Sequence, residues 1–350
     1  MNVKTMLAAI LVEQNKPLVI DRITLPDKLD YGQVLVKVLY SGICGSQLGE
    51  INRLKGEDKY LPHLLGHEGT GIVIECGRGV TTAKKDDKVV LHWRKGDGIQ
   101  SRTPEYFSST LGKINAGWVT TFNEYAIVSE NRLTKISEDF DSKIGALLGC
   151  AVTTGLGVIN NNAKVKIGEN VVVWGAGGVG LNIIQGAAMV SAYPIIAVDL
   201  YDHKLDLALD IGATHIINSN KANPENEISK IVGKNGADAV IETTGDIDVI
   251  QRAYDVTGPK GRTIMVGVPS HNHKVKLDTL PLHFDKILTG SHGGESKPEI
   301  DIPNYIKLFK NNRLKLKQLI TDQYDLKDIN ISIEKMRNGK IFGKCVIKTI

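Results

Sequence analysis

Cysteine is scarce in this chain: Cys44, Cys76, Cys150 and Cys345 are the only four, and they stand far apart. That spacing excludes a disulfide scaffold and fits a reducing compartment. Aromatic residues are 5% of the 350, too few for a surface on which bases stack. No run of like charges occurs, and the net charge of +4 is small for the length. A nucleic-acid arm is therefore not expected. Long apolar runs are missing too. The mostly apolar stretch 171–190 is broken by glycines, Asn182 and Gln185, so it does not read as a membrane span. Met1 to Lys16 lacks the charged-then-apolar pattern of a secretory signal. The expectation is a cytoplasmic globular protein with room for two cores.

What is present centres on Val171 to Asp199. Val171 to Trp174 is short, apolar and β-branched, so it reads as a buried parallel strand. Gly175, Gly177 and Gly180, with Ala176, Gly178 and Val179 between them, match G-x-G-x-x-G. In that pattern the first glycine makes the turn, the second admits a pyrophosphate, and the third packs helix on strand. Leu181 to Val190 reads as the crossover helix, whose N-terminus suits phosphate. Ile195 to Val198 reads as the second strand, and Asp199 ends it where an acid binds the adenosine ribose. Strand, glycines, helix, strand and acid in this order predict a dinucleotide site.

The two halves of the chain differ. Up to about residue 145, short strand patterns such as Val34–Tyr40, Gly71–Glu75 and Lys88–Leu91 alternate with turn signals, which predicts a compact β-barrel. From about Ala151, strand and helix patterns alternate. Strands are expected at Val171–Trp174, Ile195–Val198, His215–Ile217, Ala239–Glu242 and Thr263–Val268. Parallel strands with helical crossovers make a doubly wound sheet. Near the end, 302–309 and 326–336 read as helices and 345–350 as a last strand.

Three soft-ligand candidates precede the dinucleotide unit: Cys44, His67 and Cys150. Two thiolates and one imidazole form a catalytic zinc set with one position left open. A lone buried cysteine is more often a small core residue, so spacing alone leaves the trio weak.

The motifs together resemble the zinc-dependent medium-chain alcohol dehydrogenases, end to end. Those that carry the resemblance are Gly42-Ile43-Cys44-Gly45-Ser46, Leu65-Gly66-His67-Glu68-Gly69-Thr70-Gly71, Asp87-Lys88-Val89-Val90, Phe122-Asn123-Glu124-Tyr125, Gly149-Cys150 with Thr153-Thr154-Gly155, and the glycine fingerprint. The resemblance implies an α/β protein with a GroES-like β-barrel catalytic domain, residues 1–150 completed by 288–350, and a Rossmann NAD-binding domain at 151–287. It implies one catalytic zinc on Cys44, His67 and Cys150, with Glu68 as an occasional ligand or a supporting acid. It puts Ser46 beside the reacting oxygen, where a hydroxyl can take the alcohol proton. Thr154, Thr244, Val266 and Val268 would stand near the cofactor, and Trp93 would wall the substrate pocket. Family habit implies a homodimer or homotetramer, through edge strands of the nucleotide sheet.

The chain also departs from the family. Relatives often carry a structural zinc on four cysteines, but 93–122 contains none, so no structural zinc is expected and the lobe would be held by other contacts or be mobile. Gln47 stands where relatives place an aspartate that orients the histidine ligand, and Gly49 where they place a relay histidine. Cys76 and Cys345, and the histidines at 271, 273, 283 and 292, read as structural or surface residues. Asp199 without a nearby arginine favours NAD over NADP. Arg94 and Lys95, past Trp93, point to an anionic or hydroxylated alcohol as substrate. Three alternatives stay open: a zinc-free NAD(P)H reductase, a non-catalytic NAD-binding module, and an enzyme that oxidises transiently and returns a rearranged product.

Overall fold

The computed structural model describes residues 3–350. The chain forms two compact units. The first holds Met1–Cys150, Lys297–Leu308 and Ile320–Ile350; the second holds Ala151–Ser296 and Phe309–Leu319.

In the first unit five strands close a barrel, in the order Thr5–Leu11, Val19–Thr24, Glu105–Ser108, Gly112–Asn115 and His63–Leu64. Thr5–Leu11 is apolar on both faces, and successive side chains serve two cores. Met6, Ala8 and Ile10 join Ile23, Tyr106 and Ile114, while Ala9 and Leu11 join Ile43, Phe122 and Ile329. Beside the barrel runs a second sheet, ordered Leu133–Lys135, Lys88–His92, Glu68–Cys76, Gln33–Gly42, Lys344–Lys348 and Ile320–Asp325, with Tyr125–Ser129 also paired to Gln33–Gly42. The C-terminal strand lies antiparallel to Tyr40–Gly42. That pairing sets Val346 opposite Gly42, two residues before Cys44.

The segment expected as a lobe held by contacts other than a structural zinc is tied into the barrel. It supplies the hairpin Glu105–Ser108 and Gly112–Asn115. Its approach is pinned by the buried Glu130, which accepts from Thr81 N at 2.6 Å, Thr82 N at 2.8 Å and Ile99 N at 2.7 Å. Burial works against the Glu130 charge, but these donors outweigh it and lower its pKa.

The second unit is a six-stranded parallel sheet, ordered His215–Asn218, Ile195–Asp199, Val171–Trp174, Ala237–Glu242, Thr257–Met265 and Ile287–Gly290. Val171–Trp174 sits where the strand order reverses, which is where doubly wound sheets bind ligands, beyond their C-terminal ends. All four of its residues are buried. Two expectations need correction. The crossover helix starts at Gly178 and not Leu181, because Gly177 serves as its N-cap and the fingerprint makes its first turn. The domain boundary placed at 287/288 falls inside Ile287–Gly290, which pairs with Thr257–Met265 and so belongs to the second unit. That strand escaped prediction because it is a mostly exposed edge with no apolar alternation. No helix among the described residues is long and apolar enough to cross a membrane.

Candidate metal centre and dinucleotide cradle

Cys44 follows the strand Gln33–Gly42 in extended backbone, φ −104 and ψ 144, and starts the helix Gly45–Ile51. Gln47 fixes that start: its Oε1 accepts from Cys44 N at 3.1 Å. His67 reaches the site through Gly66, whose φ of +92 is left-handed. A Cβ at Gly66 would lie 2.3 Å from Thr121 Oγ1 and 2.6 Å from Phe122 N, so only glycine fits. Cys150 ends the first segment of the first unit, after the helix Ser142–Leu147.

One ligand atom from each of Cys44, His67 and Cys150 lies within 4.8 Å of the others, and the two sulfurs are 4.0 Å apart. His67 Nε2 is buried with no hydrogen-bond partner. An orphaned imidazole nitrogen facing two sulfurs is the arrangement a tetrahedral cation would satisfy. The charges respond to one another. Cys44 is held well below the ordinary thiol range, first by the hydrogen bond from Cys150 and then by His67, against burial. Cys150 is pushed well above that range by the same bond to Cys44 and by burial. For His67, burial opposes protonation, but Cys44 and Glu68 outweigh it and raise its pKa.

Glu68 does not join the ligand cluster. Its fully buried carboxylate pairs with Lys344, whose Nζ also donates to Ile43 O at 2.9 Å. Of the two roles expected for Glu68, occasional ligand or supporting acid, this buried ion pair beside the site resembles the second. Lys344 was missed, because it stands at the chain end with no motif around it. Ser46 is half-buried in the first turn after Cys44. Trp93 stands edge-on to His67, with ring centres 6.5 Å apart, and Arg94 lies over the Trp93 ring at 5.8 Å.

A cavity of about 900 Å³ opens from His67 and Gln47, and Lys55, Asp58, His63 and Trp118 are among its walls. Trp93 and Arg94 are not. The charged groups lining it carry both signs: Lys55 pairs with Glu50 at 2.7 Å and His63 with Asp58 at 2.7 Å. These residues were missed because a mixed-charge loop looks like any solvated surface.

In the second unit Gly175 turns with φ +93, and a Cβ at Gly180 would lie 1.8 Å from Gly175 O. Around Gly177 that position has no atom within 4 Å, so the backbone face is open. The N–H groups of Gly178, Val179 and Gly180 form the first helical turn and have no carbonyl four residues back. Asp199 accepts from Ala176 N at 2.8 Å, Leu200 N at 2.8 Å and Tyr201 N at 3.2 Å, locking acid and glycine turn together. A Cβ at Gly175 would meet Thr244 Cγ2 at 3.1 Å, and one at Gly245 would meet Val268 O at 2.5 Å. Gly175, Thr244 and Val268 therefore share one crevice, with Val266 two residues from Val268. Thr154 is buried with no partner for its Oγ1. Open N–H groups, an unfilled glycine face and a terminal acid fit a dinucleotide.

Two family profiles match the sequence: an alcohol dehydrogenase GroES-like domain at 30–138 and a zinc-binding dehydrogenase at 178–311. The S-(hydroxymethyl)glutathione dehydrogenase of Photobacterium damsela subsp. piscicida is 30% identical over 337 residues, covering 88% of this chain and 90% of that one. The chain belongs to the zinc-dependent medium-chain alcohol dehydrogenase family. The S-(hydroxymethyl)glutathione dehydrogenase of Escherichia coli O139:H28 is 31% identical over 362 residues, covering 95% and 97%. Among solved structures, the benzyl alcohol dehydrogenase of Acinetobacter calcoaceticus has a TM-score of 0.88 at 27% identity, covering 99% of this dehydrogenase and 100% of that chain. The protein is an oxidoreductase of the NAD-dependent alcohol dehydrogenase type.

Proposed function

We propose that this dehydrogenase oxidises a polar primary or secondary alcohol with NAD, using one zinc ion per chain held by Cys44, His67 and Cys150. The observation that carries this is the convergence of two sulfurs and the unpartnered His67 Nε2 within 4.8 Å. When bound, zinc supplies a Lewis acid that makes the alcohol proton easier to lose. Ser46, two residues beyond Cys44, takes that proton. Relatives pass it to a histidine, but Gly49 has no side chain to receive it, so water carries it out. Trp93 shields the reacting carbon from solvent. Glu68 stays outside the ligand set, and its partner Lys344 tempers the negative charge of Glu68 and the two sulfurs.

Gly175, Gly177, Gly178, Val179 and Gly180 hold the pyrophosphate, and Asp199 the ribose hydroxyls. A 2′-phosphate would meet the Asp199 charge, which favours NAD over NADP. Thr154, Thr244, Val266 and Val268 flank the nicotinamide. The substrate body occupies the cavity beside His67, where Lys55, Asp58 and His63 address polar substituents of either charge. The names of the S-(hydroxymethyl)glutathione dehydrogenases support an alcohol of that polar kind.

The protein is read as a cytoplasmic homo-oligomer. None of the four cysteines is in a disulfide. The edge strand Ile287–Gly290 pairs on one side only, next to Leu280 and Phe284, which are 63% and 65% exposed. An apolar rim beside an open strand edge fits a second copy of the chain.

The test is metal analysis of purified protein, followed by NADH formation over a panel including S-(hydroxymethyl)glutathione, benzyl alcohol and small diols. One zinc per chain and turnover of at least one alcohol are expected. Zinc-free protein, or NADH from none of them, would sink the reading. Light scattering checks the oligomer.

A further inference from the structure

Glu242 ends the strand Ala237–Glu242, directly beside Trp174 in the parallel ladder. It therefore sits at the reversal of strand order, one residue from the glycine turn's own register. Its side chain is fully buried. Oε1 accepts from Thr244 N, from Thr244 Oγ1 and from Gly245 N, the last at 2.9 Å. The main-chain oxygen of the same residue accepts from Val266 N at 2.8 Å and Gly267 N at 3.1 Å. The next residue completes the link: Thr243 Oγ1 donates toward Trp174 O at 2.8 Å and Gly175 O at 3.1 Å.

Three backbone segments thus meet on one dipeptide: the glycine turn after Trp174, the turn 243–245, and the strand exit 266–268. They touch without slack, since a Cβ at Gly267 would lie 2.1 Å from Gly245 N. Movement of 244–245 has to move 266–268 with it.

From this geometry we infer that Glu242 is a positioning residue for the dinucleotide, holding the pyrophosphate turn and the nicotinamide-facing strand exit in one fixed register. The inference rests on the cofactor reading given above. The sheet itself does not need the carboxylate, because the ladder on both sides of Glu242 is made by main-chain groups. Its Oε2 is buried without a partner, a cost that an apolar residue would avoid. What the side chain adds is the orientation of the turn. Burial lifts this carboxyl above its ordinary range despite the Thr244 and Gly245 donors. All three donors converge on the one acceptor atom Oε1, and a glutamine keeps an acceptor there.

The experiment compares Glu242→Ala and Glu242→Gln in the full zinc-loaded enzyme. NAD affinity is measured by calorimetry, and amide hydrogen exchange at 244–245 and 266–267 without NAD. Glu242→Ala is expected to raise the Kd and KM for NAD roughly tenfold, with kcat at saturating NAD and zinc content near wild type. Exchange at the four amides should speed up by a similar factor. Glu242→Gln should restore both to within about twofold, the scatter of one modest contact. A folded Glu242→Ala with wild-type Kd overturns the inference, and so does a Glu242→Gln as impaired as the alanine. If the alanine variant does not fold, Glu242→Asp replaces it, because the shorter side chain withdraws the acceptor from its donors; an unchanged Kd there is equally fatal. If even the wild type fails to bind NAD, the proposed function falls, while the exchange data still judge Glu242: unchanged rates in the variants overturn its role.

Discussion

Replacing Lys344 with methionine should cost more stability than almost any other single change in the first unit. Lys344 and Glu68 expose 5% and 0% of their side chains. The lysine also donates to Ile43 O at 2.9 Å, one residue before Cys44. For Lys344, burial opposes the charge, but Glu68 and then the Cys44 and Cys150 sulfurs outweigh it and raise its pKa. Methionine keeps the length of the side chain and removes the cation. Glu68 is then a buried carboxylate with its partner gone, and the Ile43 carbonyl loses its donor. Breaking a buried pair from one side costs about 3–5 kcal/mol. In a domain of this size that is a drop in Tm of roughly 10 °C. The double variant Lys344→Met with Glu68→Gln removes both charges and should recover most of the loss. Urea unfolding of wild type, single and double variants reads the cycle. The pH dependence has a definite sign: a lysine whose folded pKa is raised stabilises below its unfolded pKa, and the gain is lost as pH rises through the folded value. Wild type should therefore lose stability on the alkaline side with a limb that Lys344→Met lacks. If the single variant is as stable as wild type, or the double is no better than the single, the reasoning about this pair is wrong.

Three further outcomes are expected. His92 is 1% exposed, with its ring nitrogens facing Arg94 O at 2.8 Å and Thr134 Oγ1 at 3.0 Å, and burial pulls its pKa down to about 4. The unfolded chain binds that proton near pH 6.5, so stability is full above that value and falls by roughly 3 kcal/mol toward pH 4; His92→Gln should flatten this acid limb in denaturant titrations. Asp199→Ala removes the acceptor of three backbone N–H groups and, on the function proposed above, the partner of the ribose, so kcat/KM for NAD should fall at least about tenfold and its ratio over NADP should shrink, as initial rates with both cofactors will tell. Glu130→Ala leaves the N–H groups of Thr81, Thr82 and Ile99 unpaired; limited proteolysis near 94–104 should speed up by an order of magnitude or more, while a chelator leaves the wild-type rate at that site unchanged.

Local pattern carried much of the architecture because, in the second unit, local pattern and burial agree. Val171–Trp174 and Ile195–Asp199 are apolar where the sheet is covered on both faces. Gly175, Gly180 and Asp199 stand at spacings dictated by one turn, one helix and one strand. Thr5–Leu11 was opaque for the opposite reason. Its continuous apolar run serves two cores at once, so neither period shows. Ile287–Gly290 lies at an edge, where burial writes no alternation. The metal trio was legible only by resemblance, because Cys44, His67 and Cys150 come from three separated segments that tertiary pairing alone unites.

The groups around that trio show why a bare ligand list was incomplete. Glu68 was visible beside His67, but its partner is 276 residues away. Lys344 arrives because the terminal strand Lys344–Lys348 pairs through Val346 with Gly42, and because Cys345 O accepts from Ile43 N at 3.2 Å. The main-chain bond and the Lys344 bond to Ile43 O clamp the same residue from both sides. The carboxylate's environment is thus set by strand register at the far end of the chain. A one-residue slip of that strand would turn Lys344 to the opposite face of the sheet, leaving Glu68 a buried charge beside two sulfurs. Register in the last five residues of sheet, as much as the three ligands, therefore decides whether the centre keeps its charge balance.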